Sequence, residues 1–220
     1  MLKNQVIMRK FVPLLLFALL MSGCTVAGYY VLNISEVERP QSANERYGEQ
    51  KIINFNENKK TSYTYEDELI KIVWVPRLFQ FDFILENKSD YSIKIIWDDA
   101  AYVNTKGASG RVIHSGIKFA ERNYPQPHTV IAKKTHLDDL LIPVENIFFN
   151  EGGLLSGSGW DVKPIFPNTA DSKRYLVYLT KQYLGKTVKI LLPIQVQETV
   201  NDYIFTFKIE DFIIKKRSEW

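Results

Sequence analysis

Three histidines, two aspartate pairs and one glycine-rich loop are the places where this chain could do chemistry. His114, His128 and His136 are the ring nitrogens available to a metal ion. No two of them form an i, i+4 pair on a helix, and Cys24 is the only cysteine, so the spacing of a zinc or copper site is missing. Isolated core or surface histidines are the plainer reading, and no metal or other cofactor is expected. Asp98-Asp99 and Asp138-Asp139 could supply carboxylates for calcium, or for acid–base attack on a glycosidic bond. Neighbouring strand residues point to opposite faces, so each pair offers one inward carboxylate at most. Turn-forming or solvated acids are the simpler account. Ser115, within His114-Ser115-Gly116, lacks the pattern of a nucleophile elbow.

Residues 151–160 read Glu-Gly-Gly-Leu-Leu-Ser-Gly-Ser-Gly-Trp. This is not a phosphate cradle, because Lys163 lies beyond it and the Gly-Lys-Ser/Thr order is absent. If a loop binds something, this is the candidate, with Trp160 as its anchor. Trp97, Tyr102 and Tyr124 could add an aromatic platform beside the loop at residues 123–127, although aromatics in a β-domain more often fill the core.

The elements that must position these groups are strands. Phe79, Phe81, Phe83 and Leu85 alternate with polar or outward residues, and Ile93, Ile95 and Trp97 do the same after the turn cluster Asn87-Lys88-Ser89-Asp90. This pattern predicts an antiparallel pair. Further strands are expected at residues 69–75, 111–119, 129–132, 137–143 and 146–149. The clearest hairpin joins residues 187–197 to 203–215, with Tyr203, Phe205, Phe207 and Ile209 facing inward. Only residues 172–185 look helical, with Gly185 suited to ending the helix. Residues 83–95 resemble the strand, Asn-x-Ser turn, strand stretch of small sandwich domains on bacterial surfaces. The expected fold is mainly β, an antiparallel immunoglobulin-like β-sandwich over residues 61–220. Residues 24–60 read as a polar tether, with Ile52, Ile53 and Phe55 able to add an edge strand.

The N-terminal segment carries Lys3, Arg9 and Lys10, then an apolar run over residues 11–21, then Ser22-Gly23-Cys24. The run is too short for a spanning helix of about 20 residues and fits the h-region of a secretory signal. Met8, just before Arg9 and Lys10, would serve as a start as well as Met1. The segment resembles the lipobox of bacterial lipoproteins, with Met21 replacing the usual leucine. The resemblance implies that residues 1–23 are a signal peptide and that Cys24 is acylated on its thiol and its amino group. More than one acyl chain anchors stably. Thr25, where inner-membrane retention usually shows Asp, implies the outer membrane, facing the periplasm.

The 28 Lys+Arg against 25 Asp+Glu give a formal charge of +3. Lys3, Arg9 and Lys10 account for that excess, so the chain from Cys24 on is balanced and offers no general basic surface for nucleic acid. With Cys24 committed to lipid no disulfide remains, so 13 Phe, 12 Tyr and 4 Trp must help build a real core. The expected function is a lipid-anchored, non-enzymatic binding or accessory module for an envelope protein assembly. A glycan-active hydrolase and a small-ligand or metal-binding lipoprotein are the alternatives.

Overall fold

The computed structural model describes residues 25–57, 60–153 and 156–215. Cys24, the signal segment, Leu154, Leu155 and residues 216–220 lie outside the described residues, and so does the proposed acylation site.

Alternating apolar residues generate a long run of antiparallel strands. β1 (Val26–Glu38) leads through α1 (Gln41–Tyr47) to β2 (Lys51–Glu57), β3 (Lys60–Glu66), β4 (Ile70–Pro76) and β5 (Phe81–Asn87). Short strands follow: β6 (Ile93–Ile95), β7 (Ala101–Val103), β8 (Ser109–His114) and β9 (Thr129–Ile131). Then come β10 (His136–Pro143), β11 (Ile147–Asn150), β12 (Gly159–Val162) and β13 (Thr169–Ala170). After α2 (Lys173–Lys181), the long hairpin β14 (Thr187–Val196) and β15 (Thr199–Ile214) completes the fold.

Thirteen strands share one antiparallel sheet in the order β13-β1-β15-β14-β7-β8-β10-β5-β4-β3-β2, with β6 on β14 and β9 on β6. The mainly β, antiparallel expectation holds. The strand order does not establish the immunoglobulin-like arrangement; the continuous sheet curls into a half-barrel. Register shifts in β1 between Val31 and Leu32, and between Ile34 and Glu36, bend the strand as bulges do.

The core fills the inside of the curl. Tyr203, Phe205, Phe207 and Ile209 of β15 are fully buried, as expected. Across the interior, the Trp74 ring lies 5.2 Å from Phe205 and 5.8 Å from Phe207, and Phe81 lies 5.4 Å from Phe207. These edge-on and tilted contacts are the preferred aromatic geometries. A second small core, Ile113, Ile142 and Ile147, sits under the separate β11–β12 hairpin.

Three local expectations differ from the structure. The segment read as a tether contributes β1, α1 and β2, and Leu32, Ile34 and Val37 are core residues. Its polar residues hid a strand whose apolar positions alternate. β5 and β6 do not pair: β5 lies between β4 and β10, while β6 pairs with β14 and β9. The cause is Asn87, whose amide donates to the carbonyls of Tyr91, Ile131 and Ala132 and so carries the chain across the fold. Phe79 lies ahead of β5 and is exposed. The helix starts as expected, with the Ser172 hydroxyl accepting from the Tyr175 amide, but it ends at Lys181 with Gln182 as its cap, short of Gly185.

The two ends of the curl are built differently. At one end, Asp67 is buried beneath Arg39. Its carboxylate accepts from Arg39 Nη1 (2.8 Å), the phenols of Tyr65 and Tyr203 (2.9 and 3.0 Å), and the amides of Leu69 and Ile70 (2.9 Å each). Arg39 also donates to Gly48 O. At mid-length the Asn54 amide clasps Ile34, accepting from its N–H and donating to its carbonyl, both at 3.1 Å. A side chain thereby joins β2 to β1, which are not partners in the sheet. At the other end the strands stay apart.

Candidate functional site

The residues singled out by sequence separate into a buried group and an exposed one. Trp97 is buried and stacks on His114 at 4.2 Å between centroids. Its Nε1 donates to Thr129 Oγ1 (2.8 Å). His114 Nδ1 lies 3.2 Å from Asp139 Oδ2, and Asp139 Oδ1 accepts from the amides of Ser115 and Leu140. This is a satisfied acid holding a core histidine. Tyr102 is buried as well, so neither it nor Trp97 shares a surface with Tyr124.

The remaining acids and histidines are spread out. Asp98 accepts from Arg111 (2.9 Å) and from the Gln126 amide (3.1 Å), while Asp99 is exposed. His128 is exposed, and His136 Nε2 sits 4.0 Å from Asp138 at the surface. Among the described residues, no group of three or more His, Cys, Asp or Glu could hold a metal ion.

The exposed group centres on the β11–β12 hairpin. Phe149 pairs directly with Trp160, their rings edge-on at 5.3 Å, and the Arg122 guanidinium lies 4.4 Å over the Trp160 ring. Arg122 is held by its bond to Phe119 O (3.0 Å). On the other side Lys163 covers Phe148 at 4.9 Å. Tyr124, 66% exposed, lies two residues beyond Arg122 in the same loop. The glycine loop closes the hairpin: Gly152 has φ +79°, and a Cβ there would meet the backbone at Ser156 and Gly157. Trp160 is thus joined by Arg122 and Phe149, which sequence reasoning missed, while Tyr124 is tied to it only through the loop that carries Arg122. The legible signal was the tract Ile147-Phe148-Phe149, whose parity places Phe148 and Phe149 on opposite faces of a two-stranded ribbon.

A second feature carried no sequence signal. At the open end of the curl a crevice of about 650 Å³ lies between β1, the β2–β3 hairpin, the β4–β5 turn and residues 165–168. Pairing of β3 with β4 stops at Tyr63 and Trp74, and Pro76, which has no N–H, cannot extend it. Residues 165–168 form a fixed wall through Gly28 N to Asn168 O, Tyr30 Oη to Pro167 O and Ile165 N to Leu78 O, each 2.9 Å. Gly28 is required here, because a Cβ would overlap the Phe212 ring. Burial, and secondarily Tyr183, push the Tyr30 phenol above its ordinary range, so it stays a neutral donor.

Comparison with protein-family models, curated proteins and solved structures gives no match. Among the described residues no helix is long and apolar enough to cross a membrane.

Proposed function

We propose that the protein is a lipid-anchored, non-enzymatic binding module of the cell envelope that docks an envelope protein through the aromatic face of the β11–β12 hairpin. The observation that carries this reading is Trp160, 37% exposed yet fixed between Phe149 and Arg122 on a hairpin paired with no other strand. Tryptophan, tyrosine and arginine dominate the energetics of protein interfaces, and a ring already held in place loses little freedom on binding. The partner suited to this face offers an apolar pocket rimmed by carboxylates. Acylation of Cys24, proposed from its lipobox, would confine the module to a thin layer at the outer membrane and raise its effective concentration for neighbours. We also infer an immunoglobulin-like scaffold, a reading supported by the inner faces of β4–β5 and β14–β15 packing across one core.

The test is crosslinking in intact cells from a photoreactive residue at Phe149. One specific envelope protein is expected, and Trp160→Ala should weaken its capture about 30-fold, the loss for an anchor worth about 2 kcal/mol. Cys24→Ser should move the chain out of the acylated membrane fraction. Failure to capture a specific partner, together with measured turnover of a glycan, would sink this reading.

A further inference from the structure

We propose that the crevice at the open end of the curl binds a single acyl chain with an anionic head group, taken from the lipids of the membrane. Its walls are apolar, formed by Leu32, Phe55, Leu78, Phe81, Ile165 and Phe166. Its volume of about 650 Å³ lies within the ~300–1,000 Å³ typical of small-molecule sites. Among the described residues, the charged ones lining it are Arg77 and Lys215, and no carboxylate lines it. Asp82 holds Arg77 through Nε at 2.8 Å and orients the guanidinium. The Lys215 ammonium has no acceptor among the described residues, while its backbone N–H is fixed to Ala27 O at 2.9 Å. An apolar slot with cations at its rim fits one chain and one anion.

Position adds a second argument. Gly28 lines the crevice and Val26 begins β1, so the mouth opens where the chain enters the fold. Residue 24 is four positions from Gly28 and stands within about 14 Å of it along even a fully extended chain. This step rests on the acylated-Cys24 reading: an anchor there would hold the mouth against a leaflet. The border is dressed for that contact, since Phe55, Leu78 and Phe79 are 45%, 40% and 39% exposed. The site also stays open by construction. The Asn54 clasp fixes β2 against β1, the wall at residues 165–168 is held by its backbone bonds, and Pro76 stops β3 from pairing further along β4.

The chain starting at Thr25, which contains every strand of the described residues, can be titrated with a fluorescent palmitate. The expected result is one molecule per chain, displaced by unlabelled fatty acids with affinity rising about fourfold per added methylene. Leu78→Glu and Phe55→Glu, at half-exposed positions, should abolish binding without changing the melting temperature. Lys215→Ala and Arg77→Ala should weaken fatty acids but not the alcohols of equal length. A second arm offers vesicles of phosphatidylglycerol: transfer of phospholipid into a soluble complex supports a bilayer source. Many molecules per chain, no dependence on chain length, or indifference to Leu78→Glu overturns the proposal. If the acylated full chain excludes the probe while the unacylated chain accepts it, the anchor's own acyl chain is the occupant and the bilayer source is rejected. Capture of a protein partner through Trp160 should survive Leu78→Glu, so the two sites can fail independently.

Discussion

Replacing Asp67 with Asn should cost about 3–5 kcal/mol of folding stability, because it removes one partner from a buried ion pair and leaves some of the other donors without an acceptor. Asp67 accepts from five donors, drawn from Arg39 after β1, Tyr65 on β3, Tyr203 on β15 and the turn into β4. Neither side chain of the ion pair retains appreciable contact with water, at 3% and 0% exposure. An asparagine of the same shape keeps one oxygen but turns a donor toward other donors, and it removes the carboxylate charge that faces Arg39. Domains of this kind have about 5–15 kcal/mol to lose, so the variant should melt roughly 6–20 °C lower. Tyr65→Phe and Tyr203→Phe each delete one hydrogen bond to a charged acceptor and should cost less, about 1.5–3 kcal/mol. Thermal melts of the three variants give the ranking. An Asp67→Asn protein that melts with the wild type would show that the network does not hold this end of the curl closed.

Asp67 also marks the limit of what the sequence made legible. The strands β4, β5, β10, β14 and β15 lie where the sequence reading put strands, and β5 and the first part of β15 alternate because one face of each is buried. The parity that puts Tyr63 and Tyr65 inward also puts Asp67 inward, between the acidic neighbours Glu66 and Glu68, and no local motif marks it as the centre of a buried network. Asn54 and Asn87 were read as polar linker and turn. Their chemistry is long-range: Asn87 bonds carbonyls at residues 131 and 132, and Asn54 clasps Ile34. Local pattern cannot show which distant backbone a side-chain amide will reach, so the local β14–β15 hairpin was legible and the long-range pairings were not. The same holds for the sites. Trp160 could be singled out by its loop, but Arg122 and Phe149 join it only through the fold. The crevice is assembled from five separate stretches, none of which carries a motif.

The fold should also unfold cooperatively in alkali, at about pH 11–12, through tyrosines it holds protonated. Burial is the largest cause raising the phenols of Tyr30, Tyr63, Tyr65, Tyr102 and Tyr203, and the Asp67 carboxylate adds to it at Tyr65 and Tyr203. The sign follows from proton counting. Below pH of about 10, the phenol value in an unfolded chain, each proton is bound in both states and stability does not depend on these groups. Above about 10 the unfolded chain releases protons that the folded chain keeps, so stability falls by up to about 1.4 kcal/mol per pH unit for each group. Five groups acting together would exhaust about 5–15 kcal/mol within one to two units. Tyrosinate absorbance and far-ultraviolet circular dichroism should therefore change together on titration. Tyr203→Phe should behave in two opposite ways: less stable at neutral pH, where its bond to Asp67 is lost, yet with an alkaline slope about one fifth shallower, because one of five groups no longer titrates. If the five phenols ionise while the dichroism stays native, they are accessible to solvent and the core does not protect them.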